Sequence, residues 1–145
     1  MPTGHQGVIL IVEDSEDDVE LARLALHDAG YPGKILVARD GSQALDMLFG
    51  HGEHEGTPIR PEVILLDLTL PALEGLSLLE WIRSHPEVRL TPVVVFSSSD
   101  DPEDIRGAYD RGANGYVRKP VKAEAYADTI RCIVEFWHRV NKVAY

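Results

Sequence analysis

The chain has 145 residues, 44% hydrophobic and 26% charged, the size and balance of one globular domain around a single core. Acidic residues outnumber basic ones 24 to 14, and a net charge of −10 argues against direct binding to nucleic-acid phosphates or anionic lipid. Cys132 is the only cysteine, which excludes an intrachain disulfide and a cysteine-built zinc site, and no apolar run reaches the roughly 18 residues of a membrane span. The polar opening, unlike a signal peptide, leads to the expectation of a cytoplasmic chain.

In chain order, Val8-Ile9-Leu10-Ile11-Val12 is a short apolar, β-branched run that predicts a strand buried on both faces. Ser15 stands at an N-cap position with Glu16, Asp17 and Asp18 in the first turn, where carboxylates complement the helix dipole. Val19, Ala22, Leu26 and Ala29 recur at helical spacing up to Gly30. Lys34 to Ala38 predicts a second strand, and Asp40-Gly41-Ser42-Gln43 a capping box before Ala44, Leu45 and Leu48. A connection rich in Gly, Pro and His runs from Gly50 to Pro61. Val63 to Leu66 then predicts the third strand, and Leu76, Leu79 and Ile82 a helix.

Pro92 to Phe96 predicts the fourth strand, with proline at its first residue. Asp101-Pro102 reads as N-cap and N1 of a helix carrying Ile105, Ala108 and Tyr109. Gly115 to Val117 is a short fifth strand, and a last helix runs from about Lys122 into the final residues. Residues 1–7 read as a flexible tail, 8–140 as the domain and 141–145 as a C-terminal tail or the end of the last helix, with no output domain expected. Strands alternating with helices predict an α/β fold: a doubly wound parallel sheet of five strands with five helices. Ligands in such folds bind beyond the carboxyl ends of the strands.

Those ends carry Glu13-Asp14, Asp67, Ser97, and Tyr116 followed by Lys119-Pro120. Each alone has an ordinary reading as a strand end, turn, cap or surface charge; together they assemble carboxylates, a hydroxyl and an ammonium in one crevice. Facing carboxylates repel unless a cation intervenes, and hard oxygen donors suit Mg²⁺, which commonly bridges carboxylate and phosphate. The crevice therefore reads as a metal-assisted phosphoryl site.

Four motifs carry a family resemblance: Ile11-Val12-Glu13-Asp14; Leu65-Leu66-Asp67-Leu68-Thr69-Leu70-Pro71 with Gly75 beyond; Val94-Val95-Phe96-Ser97; and Gly115-Tyr116-Val117-Arg118-Lys119-Pro120. From about Val8 to His138 the chain resembles the receiver domains of bacterial response regulators. The resemblance implies the flavodoxin-like strand order 2-1-3-4-5. It implies Asp67 as phosphoacceptor for a sensor histidine kinase, and Mg²⁺ held by Asp14, Asp67 and the backbone carbonyl of Thr69, with Glu13 acting through a water. Lys119 and Ser97 would bind the phosphoryl oxygens, Ser97 and Tyr116 would form the switch, and Thr69 and Ser99 would tune the lifetime. The Lys119–Pro120 bond would be cis. Glutamate at position 13 and serine at position 97 replace commoner aspartate and threonine, and both keep the chemistry. Such a protein catalyses only its own phosphorylation and dephosphorylation, and would hand its signal to a downstream phosphotransfer or target protein.

The last helix carries two apolar stripes. Tyr126, Ile130, Ile133 and Trp137 suffice to dock it; Cys132, Phe136, Val140 and Val143 lie roughly 90° away at about 100° per residue, and predict a homodimer interface. Glu135-Phe136-Trp137, the long Gly50–Pro61 connection and the missing output domain further resemble the small regulators paired with bacterial phytochromes. A receiver acting purely as a phosphorylation-independent interaction module is the rival reading. A haloacid-dehalogenase-like phosphatase would need a second aspartate where Thr69 stands, and an FMN binder an uncharged loop where Glu13-Asp14 stands.

Overall fold

The computed structural model describes residues 7–52, 56–68 and 72–144. Its strands are β1 (Val8–Val12), β2 (Lys34–Ala38), β3 (Val63–Leu66), β4 (Val93–Ser97) and β5 (Gly115–Arg118). Its α-helices are α1 (Glu16–Asp28), α2 (Gly41–Phe49), α3 (Ala72–Ser84), α4 (Pro102–Asp110) and α5 (Ala123–Val134). All strand pairs are parallel, in the order β2-β1-β3-β4-β5. The doubly wound sheet with five helices read from the sequence is the observed architecture.

Alternation along the strands sorts the core into two layers. Ile9, Ile11, Val63, Leu65, Val94 and Phe96 pack against α1 and α5 through Ala22, Leu26, Tyr126 and Ile130. Leu10, Val12, Ile64, Leu66, Val93 and Val95 pack against α2, α3 and α4 through Leu48, Leu79, Ile82 and Ala108. β1 and β3 sit in the middle of the sheet and are apolar throughout because both faces are covered.

Local chemistry sets the helix ends. Ser15 Oγ accepts from the Asp18 N–H, the Asp40 carboxylate from the Gln43 N–H, and the Asp101 carboxylate from the Glu103 N–H. Gln43 closes its half of the predicted capping box one residue early, accepting from the Arg39 N–H at 2.8 Å. α1 stops at Gly30, whose φ of +79° lies in the left-handed region open to glycine.

The last helix departs from expectation. After Val134 it winds as a π-helix over Glu135–Val140, closed by the Asn141 N–H on the Phe136 carbonyl, and the chain leaves it extended at Asn141. Val143 therefore falls outside the helix, and the second stripe, counted at α-helical pitch, ends at Val140. Phe136 and Val140 are 48% and 57% exposed, and Cys132 is exposed, while Tyr126, Ile130 and Ile133 are buried.

Two braces tie the lower end of the sheet. Arg83 on α3 donates to the carbonyls of Gly112, Arg89 and Thr91 and to Asn114 Oδ1, all at 2.7–2.9 Å. Glu62, just before β3, accepts from the Tyr31 hydroxyl at 2.6 Å, and its two oxygens lie 3.0 Å from His138 Nδ1 on the π-helix. Among the described residues, no helix is long and apolar enough to cross a membrane.

Candidate phosphoryl and cation site

Glu13 follows β1 in the phase of Ile9 and Ile11, and Asp67 follows β3 in the phase of Val63 and Leu65. Strand alternation therefore delivers both carboxylates to the α1/α5 side of the sheet. They are buried, at 3% and 2% exposure. Lys119 follows β5, whose ladder to β4 continues through the Lys119 N–H to the Ser97 carbonyl. Its Nζ donates to Glu13 Oε1 at 2.6 Å, to Asp67 Oδ2 at 2.8 Å and to Asp18 Oδ2 at 3.1 Å. An ammonium has three N–H bonds, and all three are aimed at carboxylates. The Phe96 ring centroid lies 5.8 Å from the same nitrogen.

Burial sets the electrostatics. It pushes the Glu13 carboxyl up to about 7, the adjacent Asp67 adding to the rise and Lys119 and the Ser15 N–H opposing it. For Lys119, burial alone would lower the ammonium, but Asp67 and Glu13 outweigh it and hold the group above the ordinary lysine range. The residual cavity among Glu13, Asp18, Asp67, Phe96, Lys119 and Tyr126 is about 10 Å³, roughly the room of one water.

Glu13, Asp18 and Asp67 each offer one oxygen within 4.8 Å of the others. An all-carboxylate donor set fits a hard divalent cation and not a soft one. Asp14, expected as a cation ligand, follows Glu13 at the end of β1 and is exposed. Asp18 joins Glu13 and Asp67 from the first turn of α1. Thr69, expected to offer its carbonyl and to tune the lifetime, lies outside the described residues.

Ser97 ends β4 in the phase of Val93 and Val95, so it points to the opposite side, toward α4, and is fully buried. Its Oγ accepts from the Ser99 N–H at 3.3 Å, and the Tyr116 hydroxyl donates to the Ser99 carbonyl at 2.9 Å. Ser99 Oγ also donates to Asp104 on α4 at 2.6 Å. Tyr116 is thus turned in against the α4 layer, half-buried, and burial raises its phenol above the ordinary range. The expectation of a cis bond at Lys119–Pro120 is corrected: no described peptide bond is cis. With trans, the form favoured by about 0.5–1 kcal/mol before proline, Lys119 already reaches its three carboxylates.

The family model of the response regulator receiver domain matches residues 9–131. The chain belongs to this family. As a receiver, it is a module of two-component signalling, and its relatives bear this out. It is 35% identical over 130 residues to the response regulator Rcp1 of Synechocystis, covering 90% of this chain and 88% of that protein. It is 38% identical over 135 residues to a probable methanogenesis regulatory protein, FilR2, of Methanothrix harundinacea, covering 93% and 86%. Among solved structures, the phosphorylated cyanobacterial phytochrome response regulator RcpA superposes with a TM-score of 0.88 at 33% identity, over 96% of this chain and 99% of that one. The Mn²⁺-bound form of Rcp1 does so with 0.86 at 32%, over 96% and 99%.

The receiver thus gathers Glu13, Asp67 and Lys119 on one side of the strand ends and Ser97, Ser99 and Tyr116 on the other. Asp18 was the residue missed. In the sequence it reads as one of three acidic residues serving a helix dipole. Its spacing of four to buried Ala22 is the signal that places it, unlike Glu16 and Asp17, on the face turned to the sheet.

Proposed function

We propose that this receiver accepts a phosphoryl group from a sensor histidine kinase onto Asp67 and relays it as a change in the surface formed by α4, β5 and α5. One observation carries the reading: Asp67 is a carboxylate buried at a strand end, in contact with a single ammonium and beside a second buried carboxylate. An Asp67 carboxylate oxygen attacks phosphorus, an O–P bond forms, the P–N bond of the kinase phosphohistidine breaks, and the imidazole departs with the electron pair. Phosphoryl transfer depends mainly on alignment and charge neutralisation. Lys119 neutralises the phosphoryl oxygens and Ser97 donates its hydroxyl to one of them. Asp14, Asp67 and the backbone carbonyl of Thr69 would hold the divalent cation, which we take to be Mg²⁺, with Glu13 acting through a water, and the cation would supply further neutralisation of phosphoryl charge when bound. The new group adds about −1.5 to −2 charges. As Ser97 turns to it, the Ser97–Ser99–Tyr116 chain of contacts is rearranged, and Ser99 passes the change to α4 through Asp104.

The likeness to RcpA, described as a cyanobacterial phytochrome response regulator, supports a bacteriophytochrome kinase as the partner, which would place the receiver in the cytoplasm. The exposed Cys132, Phe136 and Val140 support a homodimer through the last helix.

The test is intact-mass spectrometry after incubation with acetyl phosphate and Mg²⁺. One added phosphoryl group, lost in Asp67→Asn and in chelator, is the expected result. No adduct under conditions that label another receiver would overturn the reading in favour of a phosphorylation-independent interaction module.

A further inference from the structure

Every polar group of Ser99, in the connection from β4 to α4, is engaged. Its N–H donates to Ser97 Oγ at 3.3 Å, and its carbonyl accepts from the Tyr116 hydroxyl at 2.9 Å. Its own hydroxyl accepts from the Asp101 N–H at 3.2 Å and donates to Asp104 Oδ2, in the first turn of α4, at 2.6 Å. A hydroxyl has one proton to give, and Ser99 gives it to Asp104. That bond is the shortest of the four and the only one to a carboxylate, a class about twice as strong as a bond between neutral groups. From the other side, β5 grips the same connection at two adjacent residues: Tyr116 on Ser99, and Arg118 on Asp100 at 3.0 Å. The carbonyl that Tyr116 meets is therefore held in place from α4, by a residue whose ordinary reading is a charge complementing the helix dipole. Without Asp104 the Ser99 hydroxyl is free to turn, and the half-buried Tyr116 phenol loses an acceptor of fixed direction.

We propose that Asp104 is a positioning residue of the switch: by taking the Ser99 hydroxyl it fixes the carbonyl that keeps Tyr116 turned in, and so sets how readily Tyr116 moves. The inference rests on the proposed switch through Ser97 and Tyr116, and adds a residue that acts on Tyr116 before any phosphoryl group arrives.

Fluorine NMR of the full chain, with meta-fluorotyrosine in place of tyrosine, tests it. The Tyr116 signal is the one lost in Tyr116→Phe, and its shift between H₂O and D₂O grows with exposure of the ring. In the unphosphorylated chain, Asp104→Ala moves the equilibrium of Tyr116 about fivefold toward the exposed position, as for the loss of one hydrogen bond. Alanine suits an exposed helical position, so the variant folds. Asp104→Asn keeps an oxygen acceptor for the Ser99 hydroxyl and stays within about twofold of the unsubstituted chain. In a Ser99→Ala background, Asp104→Ala changes the equilibrium by less than about twofold, the coupling expected of residues in direct contact. An unmoved Tyr116 in Asp104→Ala would mean that Asp104 is only a helix-end charge. Equal changes in both backgrounds would mean that it acts on Tyr116 without Ser99, and failure of Asp104→Asn that charge and not the acceptor matters. Each overturns the inference and leaves phosphorylation of Asp67 standing. Acetyl-phosphate labelling of the unsubstituted chain that leaves Tyr116 unmoved overturns the switch and the inference together.

Discussion

Glu13 and Lys119, separated by 106 residues, meet at 2.6 Å where the first and last strands end. The contact joins a carboxyl that burial pushes up to about 7 to an ammonium held above its ordinary range by its carboxylate neighbours. Because the folded Glu13 binds its proton more tightly than the unfolded chain does, ionising it works against folding. Its contribution to stability is greatest below about pH 4.5 and declines as pH rises through about 7. In chelator, urea denaturation of Glu13→Gln and of the unsubstituted chain across this range should show the variant gaining by on the order of 1–3 kcal/mol toward neutral pH. A constant difference would show that Glu13 titrates normally.

Ser97 is fully buried, and its hydroxyl is one bond from Ser99, the acceptor of Tyr116. Ser97→Ala should leave acetyl-phosphate labelling of Asp67 within about tenfold, as for the loss of a single hydrogen bond, while abolishing the difference in partner binding between labelled and unlabelled protein. Partner binding that still responds fully to phosphorylation in Ser97→Ala would remove Ser97 from the switch.

The strands and helix caps were legible in the sequence because neighbours decide them: five apolar runs, and Ser15, Asp40 and Asp101 each beside the N–H they cap. Glu13, Asp67 and Ser97 could be found by position, as the first polar residues after apolar runs, and Lys119 through the Lys119-Pro120 motif that follows the fifth strand. Strand order is a non-local property and came through the family resemblance. Asp18 was hidden because dipole complementation explains it without a sheet. The π-winding of Glu135–Val140 was hidden because it changes the angular step on which the second stripe was counted, so Cys132, Phe136 and Val140 are exposed while Val143 leaves the helix.

That stripe remains testable. Light scattering of the unsubstituted chain should give twice the monomer mass, and Phe136→Ser with Val140→Ser the monomer mass with unchanged far-ultraviolet dichroism. A monomeric unsubstituted chain, with and without phosphoryl label, would refute the dimer.

The Tyr31–Glu62–His138 contact draws on three loops and segments that no local pattern connects, and it pins the π-helix beneath the sheet. Tyr31 is 8% exposed and its hydroxyl lies 2.6 Å from the carboxylate, so Tyr31→Phe should cost about 1–3 kcal/mol in urea denaturation. Gly7→Ala should cost a similar amount, about 1–3 kcal/mol, since φ there is +83° and the added methyl would collide with the Glu62 carboxylate. Values near zero for both would show that the C-terminal segment is not held by Glu62.

Arg83 gives the fold a fulcrum. Its hydrogen bonds to the segments that lead into β4 and β5 tie the two strands together at their lower ends and oppose sliding of one past the other. Under the proposed switch, the α4 surface would turn about this fixed lower edge of the sheet as a lever about its pivot.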